Sequence, residues 1–244
     1  MRPPDRWGGP VNDFSDALSS ALLLLLHWER DLAEIVALSL RVSLTAVVMA
    51  AVIGMPLGAA LALFRFPGRQ ALVVLTSALM GLPPVVVGLI VYLLLSRSGA
   101  LGVLGLLFTP TAMIIAQVTL ITPIIAALVR QVIEDLWQEY AEQLRSLGAG
   151  PARALPTLLW DARFSLITAF LAGFGRASAE VGAVMIVGGN IDHVTRVMTT
   201  AIALEVSKGD LALALGLGIV LITLSIAVNA TAFLVKERAL RRQA

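Results

Sequence analysis

From Val42 to Phe64 the chain carries no charged side chain at all. As a helix, that stretch crosses about 30 Å of hydrocarbon, because each residue advances about 1.5 Å and the backbone satisfies itself internally. Comparable apolar runs recur along the sequence and exclude most soluble folds. Hydrophobic residues make up 58% of the 244 residues and charged residues only 14%, with a mean hydropathy of +0.90. A soluble domain carries about 25% charge, so this chain has too little to cover a water-facing surface.

The runs predict an all-α, polytopic membrane protein with about five spans, at 36–64, 71–95, 110–133, 164–188 and 211–235. Span two is interrupted by Gly81-Leu82-Pro83-Pro84. Two prolines remove two backbone donors, so this helix must break or kink. Pro123 lies inside span three. Arg65-Phe66-Pro67-Gly68-Arg69 reads as a tight basic turn, and 96–109 as a Gly-rich loop with one cation, Arg97. Residues 134–163 are polar, charged with both signs and too long for a hairpin turn. Residues 189–210 are polar, with Thr195, Thr199 and Thr200 among short apolar stretches.

The membrane domain therefore occupies 35–235, between an N-terminal segment, 1–34, and a basic tail, 236–244. Leu22–Leu26 is short and follows acidic Asp13 and Asp16. His27-Trp28-Glu29-Arg30 stands where a signal peptide would have its small-residue cleavage site. Residues 12–28 thus read as an amphipathic, interfacial helix after a disordered lead over 1–11.

Basic residues at the 65–69 turn, the 134–163 segment and the tail alternate onto one side, which the positive-inside rule assigns to the cytoplasm. That side holds Arg65, Arg69, Arg145, Arg153, Arg163, Lys236, Arg238, Arg241 and Arg242. The expected orientation in the cell inner membrane is N-terminus outside and C-terminus inside. The sequence pI is about 9.5, but the cations form no patch with interleaved aromatics, which favours anionic lipid over nucleic acid. There are no cysteines, hence no disulfide, thiolate metal site or Cys nucleophile. His27 and His193 lack metal-ligand spacing and read as interfacial. No Gly-x4-Gly-Lys-Ser/Thr loop occurs, so any ATP must bind on another chain.

Glu139 to Gly148 reads as a short helix. Tyr140, Leu144 and Leu147 share one face, with Glu142 and Arg145 as charged flanks. Gly148 stands at the position of a left-handed cap, and Gly150-Pro151 stops continuation. The segment suits docking into a cleft on another protein; the competing reading is a solvated connector on lipid headgroups.

Glu142-x5-Gly148 resembles the cytoplasmic loop of binding-protein-dependent ABC importer permeases. There a Glu-Ala-Ala precedes a Gly and a later Ile-x-Leu-Pro. Here Gln143 and Leu144 replace the alanines, and Leu158-Leu159-Trp160-Asp161 replaces the later motif. The stretch Arg176-Ala177-Ser178-Ala179-Glu180-Val181-Gly182 looks like the Arg-x3-Glu-x-Gly signature of the molybdate, tungstate and sulfate permeases. The stretches Val187-Gly188-Gly189-Asn190-Ile191, Thr195 to Glu205, Ser207-Lys208-Gly209-Asp210, Gly81 to Leu89 and Leu107 to Ala112 resemble the tungstate-type members.

That resemblance, over about 35–235, implies a type I importer permease fold and a pore-forming subunit that is not an enzyme. It implies a homodimer with the pore between two copies, ABC ATPase subunits that carry ATP and Mg, and an extracytoplasmic oxyanion-binding protein. No cofactor is expected on this chain. Tungstate is the expected substrate, with molybdate or sulfate as the alternatives. On these positions, Tyr140, Glu142, Leu144, Arg145, Leu147 and Gly148 are the expected ATPase-coupling helix. Pro83, Pro84, Gly88, Arg176, Glu180 and Gly182 are the expected gate or dimer interface. Arg97, Asn190, Arg196 and Lys208 are expected in loops facing the binding protein. Arg176 and Glu180 share a helix face at i, i+4, so they are either a structural ion pair or part of the gate. Pro83, Pro84 and Gly88 are either hinges or sites of close helix approach. An ion-gradient-driven secondary transporter and an inert membrane scaffold are the rival classes. The first wants inverted repeats and acidic relays, which the sequence lacks; broken helices and a mid-span ion pair argue against the second.

Overall fold

The computed structural model describes residues 30–241, all of whose regular structure is helical. The expected interfacial helix at 12–28, the lead before it and the last residues of the tail lie outside them. Helix α1 runs Arg30–Leu63, α2 Arg69–Leu79, α3 Pro84–Leu95, α4 Pro110–Ser146, α5 Pro151–Asp161, α6 Arg163–Ser178, α7 Gly182–Gly188, α8 Met198–Lys208 and α9 Leu211–Arg241. Helices α1, α4 and α9 are each long and apolar enough to cross a membrane. Two further crossings arise if α2 with α3, and α5 with α6, each count as one bent span, giving up to five.

The α1–α4 pair is the spine. Ala46, Ala50, Gly54, Gly58 and Ala62 recur every fourth residue, placing a row of small side chains on one face of α1. Ile121, Ile125, Val129 and Ile133 of α4 pack into the same buried cluster. A methyl on Gly58 would lie 2.4 Å from the Ala126 carbonyl oxygen, and one on Gly54 3.0 Å from that of Thr122. In lipid, where water does not drive helices together, such close contact is what holds them.

Helix α4 starts where the sequence signals a start. Thr109 is its N-cap, its hydroxyl accepting from the Ala112 amide at 3.4 Å, and Pro110 fills the first turn where its missing N–H costs nothing. The helix then continues for 37 residues, through Pro123, to Ser146. The short helix expected from Glu139 is therefore the end of a long one, and span three does not stop at 133. Arg130 and Glu134 sit at i, i+4 and pair, and Glu134 also receives Arg69 of α2. Charge along this stretch changes the helix's surroundings, not its backbone.

The break expected in span two is present, and two other expectations need correction. Span two is two helices meeting at 104° around Gly81 to Pro83. Span four is not one helix over 164–188: α6 ends at Ser178, α7 begins at Gly182, and α6 itself meets α5 at 73°. The stretch 189–210, expected as loop, contains the 11-residue helix α8. Ser39 ties that helix to α1, donating to the Ile35 carbonyl at 2.6 Å and accepting from the Met198 amide at 2.8 Å.

Candidate functional site

The interruption between α6 and α7 is built around one buried acid. Glu180 is 3% exposed. Its Oε2 accepts from Arg176 Nη1 at 2.6 Å, and its Oε1 accepts from the Ala183 amide at 2.9 Å. A helix start has four amides without internal partners, and the carboxylate supplies an acceptor where the α7 dipole favours negative charge. The Thr199 hydroxyl of α8 donates to the Glu180 carbonyl at 2.8 Å, and Gln117 of α4 donates to the Ala177 carbonyl at 3.2 Å. The break thus has its loose backbone groups satisfied by its own carboxylate and by side chains from two other helices, α4 and α8. The sequence placed Arg176 and Glu180 on one continuous helix. They do pair, but across the end of α6.

Helix α3 crosses α7 at the same place. A methyl on Gly88 would lie 2.7 Å from Ala183 Cα, and one on Gly182 2.9 Å from Val85 Cγ2. Pro83 is the N-cap of α3 and Pro84 its first residue. All six residues expected at the gate or dimer interface, Pro83, Pro84, Gly88, Arg176, Glu180 and Gly182, therefore lie on the two broken segments where these meet. Beside them a cavity of about 20 Å³ is lined by Ser39, Ser43, Gln117, Glu180 and Thr199 among others. It has room for a water or two. Gln117 Oε1 is buried without a partner among the described residues.

At the far end of α4, Gly148 adopts φ +76. The Gly148 amide donates to the Arg145 carbonyl at 2.9 Å and the Ala149 amide to that of Leu144 at 2.8 Å. This is the paired closure of a Schellman motif, which requires a left-handed residue. The expected apolar ridge is divided. Tyr140 and Leu144 pack inward on the main core, whereas Leu147 is 82% exposed. Glu142 and Arg145 are exposed, and the Arg145 guanidinium lies 5.4 Å from the Trp137 ring centroid. Trp160 at the end of α5, within the stretch that replaces the later motif and not among the expected coupling residues, is 70% exposed.

The opposite end gathers the start of α1 with loops 96–109 and 189–197. Arg97 is exposed beside an open pocket of about 540 Å³ lined by Tyr92, Ser96 and Phe108. Asn190 turns inward, Nδ2 donating to the Thr200 carbonyl at 3.4 Å, and Arg196 pairs with Asp192 at 2.7 Å. Lys208 pairs with Glu205 at 2.8 Å. The exposed side chains of the 189–197 loop are instead Ile191, Asp192, His193 and Val194. His193 Nδ1 lies 2.8 Å from Glu34 Oε2 on α1. Nothing local in the sequence marks Glu34 as a partner of His193, because the two positions lie so far apart.

Residues 54–241 match the model of the binding-protein-dependent transport system inner membrane component. A probable anion ABC transporter permease protein of Haloferax volcanii is 39% identical over 212 residues, covering 85% of this chain and 91% of that one. The tungstate uptake system permease protein of Peptoclostridium acidaminophilum is 38% identical over 223 residues, covering 91% and 98%. That of Campylobacter jejuni is 37% identical over 197 residues, covering 81% and 82%. Permeases of molybdenum and sulfate systems are more distant relatives. The chain belongs to the family of binding-protein-dependent transport system inner membrane components: it is a multi-pass permease subunit of an ABC importer, whose ATPase and binding protein are separate partners.

Proposed function

We propose that this subunit translocates tungstate, delivered by an extracytoplasmic binding protein, through a pore between two copies of the chain. The observation that carries this reading is the near end-to-end similarity to a tungstate uptake permease, 91% of this chain against 98% of that relative. The α4–α5 end is taken as cytoplasmic, in keeping with the basic turn, segment and tail.

The α4–α5 turn, with Leu147 and the charged Glu142 and Arg145 around Gly148, is the surface offered to the ATPase. Helix α4 runs unbroken from that turn to Pro110 and packs on α7 by way of Met113 and Gly188. A displacement at the turn therefore reaches the Arg176–Glu180 break through a continuous rod. The broken segments, joined by a few hydrogen bonds, are where the pore opens and closes. Arg176 is 30% exposed, so it can pass an oxyanion without a fixed site; strong binding inside a pore slows release. The outer loops, with Arg97, Asn190 and Arg196, and the end of α8 at Lys208 meet the binding protein.

Reconstitution of the subunit with its ATPase and binding protein in proteoliposomes tests the reading. ATP-dependent uptake of tungstate, not suppressed by excess sulfate, is expected. Uptake of molybdate or sulfate with tungstate inactive as a competitor overturns the substrate. A periplasmic reporter signal from a fusion after Gln143 overturns the orientation.

A further inference from the structure

We propose that the groove between α6 and α9 holds an acyl chain of an anionic phospholipid whose phosphate is bound by Arg163. The groove is open, about 480 Å³ in volume, and lined by Ile167, Thr168 and Leu171 of α6 and by Ile226, Asn229 and Phe233 of α9. Ile226 and Phe233 are 62% and 64% exposed. The two polar wall residues turn back on their own helices: Thr168 donates to the Phe164 carbonyl at 3.4 Å and Asn229 to that of Ser225 at 2.9 Å. The rest of the wall is hydrocarbon, and both polar side chains spend a donor on their own helix.

Arg163, Ile167 and Leu171 follow at i, i+4 and i+8, so the arginine stands at the end of the row that lines the groove. The row is about 12 Å long at 1.5 Å per residue. The guanidinium lies 4.7 Å from the Trp160 ring centroid and 4.6 Å from that of Phe164. One N–H donates to the Trp160 carbonyl at 2.5 Å. Most of its five donors remain, and it makes no ion pair among the described residues. A cation in the first turn of a helix opposes the helix dipole, so α6 gives no reason for this charge.

A stacked arginine with free donors at the mouth of an apolar groove matches a molecule that joins a phosphate to a hydrocarbon chain. Arginine takes phosphate oxygens in a planar fork, and aromatic rings beside it settle at headgroup depth. Anionic lipid is concentrated in the cytoplasmic leaflet, where the orientation proposed above puts this end. The binding itself needs neither that orientation nor tungstate.

The test is native mass spectrometry of the assembled complex in detergent, titrated with phosphatidylglycerol and, separately, phosphatidylcholine. The wild type should retain phosphatidylglycerol in preference by about tenfold, one strong contact's worth. Arg163→Gln should abolish the preference while leaving ATPase co-purification unchanged; Arg163→Lys should keep part of it. Ala230 also lines the groove, and Ala230→Trp, which fills it, should reduce retention of both lipids. Equal retention of the two lipids by the wild type overturns the proposal, as does a preference that survives in Arg163→Gln. If Ala230→Trp instead lowers dimer yield or ATPase co-purification and leaves lipid retention intact, the groove is a protein interface and the proposal fails. No transport is measured, so failure here is separate from failure of the tungstate reading.

Discussion

Glu180 takes the Arg176 guanidinium on one carboxylate oxygen and the first turn of α7 on the other, at 2.6 and 2.9 Å. The two roles separate by substitution. Glu180→Gln keeps an acceptor for the Ala183 amide and loses the charge; Glu180→Ala loses both. Alanine should be the more destabilising by about 1 kcal/mol, the usual size of a helix-start cap. Arg176→Ala leaves a buried carboxylate without its counterion, a loss of about 3 kcal/mol or less because Arg176 is partly exposed. The double alanine variant should recover part of the single losses. Thermal unfolding of all four forms in detergent completes the cycle, and strictly additive losses would show that the pair does not interact. Recovered assembly without recovered coupled transport assigns the pair to the pore.

Close approach by glycine predicts a contrast between positions. At Gly58 an added methyl meets the Ala126 carbonyl oxygen at 2.4 Å, while at Gly175 it meets nothing within 4 Å. Gly58→Ala should therefore cost about 1–3 kcal/mol through overpacking. Gly175→Ala should be neutral, or stabilising by about 0.5–1 kcal/mol through helix propensity. Fluorescence-detected thermal unfolding of the solubilised protein reads both. Equal effects would mean that the α1–α4 contact is not what the glycines serve.

What was legible in the sequence follows from how each feature is encoded. Charge-free runs mark membrane helices because hydrocarbon tolerates little else, and Pro83-Pro84 announces its break through the backbone itself. Gly148 was readable because a left-handed cap has a residue preference. The break after Ser178 was not, since Ala179-Glu180-Val181 contains no helix breaker; its only trace was an acid within an apolar run. The extent of α4 is not legible from polarity, because Arg130, Glu134 and Arg145 are charged yet good helix formers. Helix α8 hid among threonines whose hydroxyls serve the fold: Thr200 binds the Val197 backbone, and Thr199 the Glu180 carbonyl. The Arg69–Glu134 and Glu34–His193 pairs are tertiary, and no local pattern foretells them.

The His193–Glu34 contact predicts a pH dependence. The Glu34 hydrogen bond, followed by the charge of Asp192, raises His193 above the usual histidine value near 6.5. A histidine raised by folding contributes stability fully present below its unfolded pKa and lost as pH rises through its folded one. Thermal midpoints of the wild type should therefore fall as pH climbs from about 6.5 through the higher folded value. His193→Gln should be flatter across that window, as should Glu34→Gln. Both side chains are largely exposed, so the difference will be small and will shrink with salt. A wild type and variant with parallel pH profiles would show that the pair is not formed.

Gly148 of the α4–α5 turn has φ +76, and a methyl there meets nothing within 4 Å, so substitution is costly only through the backbone. A β-branched residue in the left-handed region costs about 1–2 kcal/mol, whereas asparagine visits that region more readily. Gly148→Val should therefore distort or fray the end of α4, displace Leu147 and lower ATPase co-purification; Gly148→Asn should retain most of it. Because the turn is at the end of the molecule, thermal stability of the membrane core should barely change in either variant. That combination separates a docking role from a folding one. Leu147→Asp gives an independent reading, since it leaves the backbone turn intact and puts charge on the exposed apolar side chain. If ATPase co-purification survives both Gly148→Val and Leu147→Asp, the ATPase docks elsewhere, and the exposed Trp160 face of α5 becomes the surface to test.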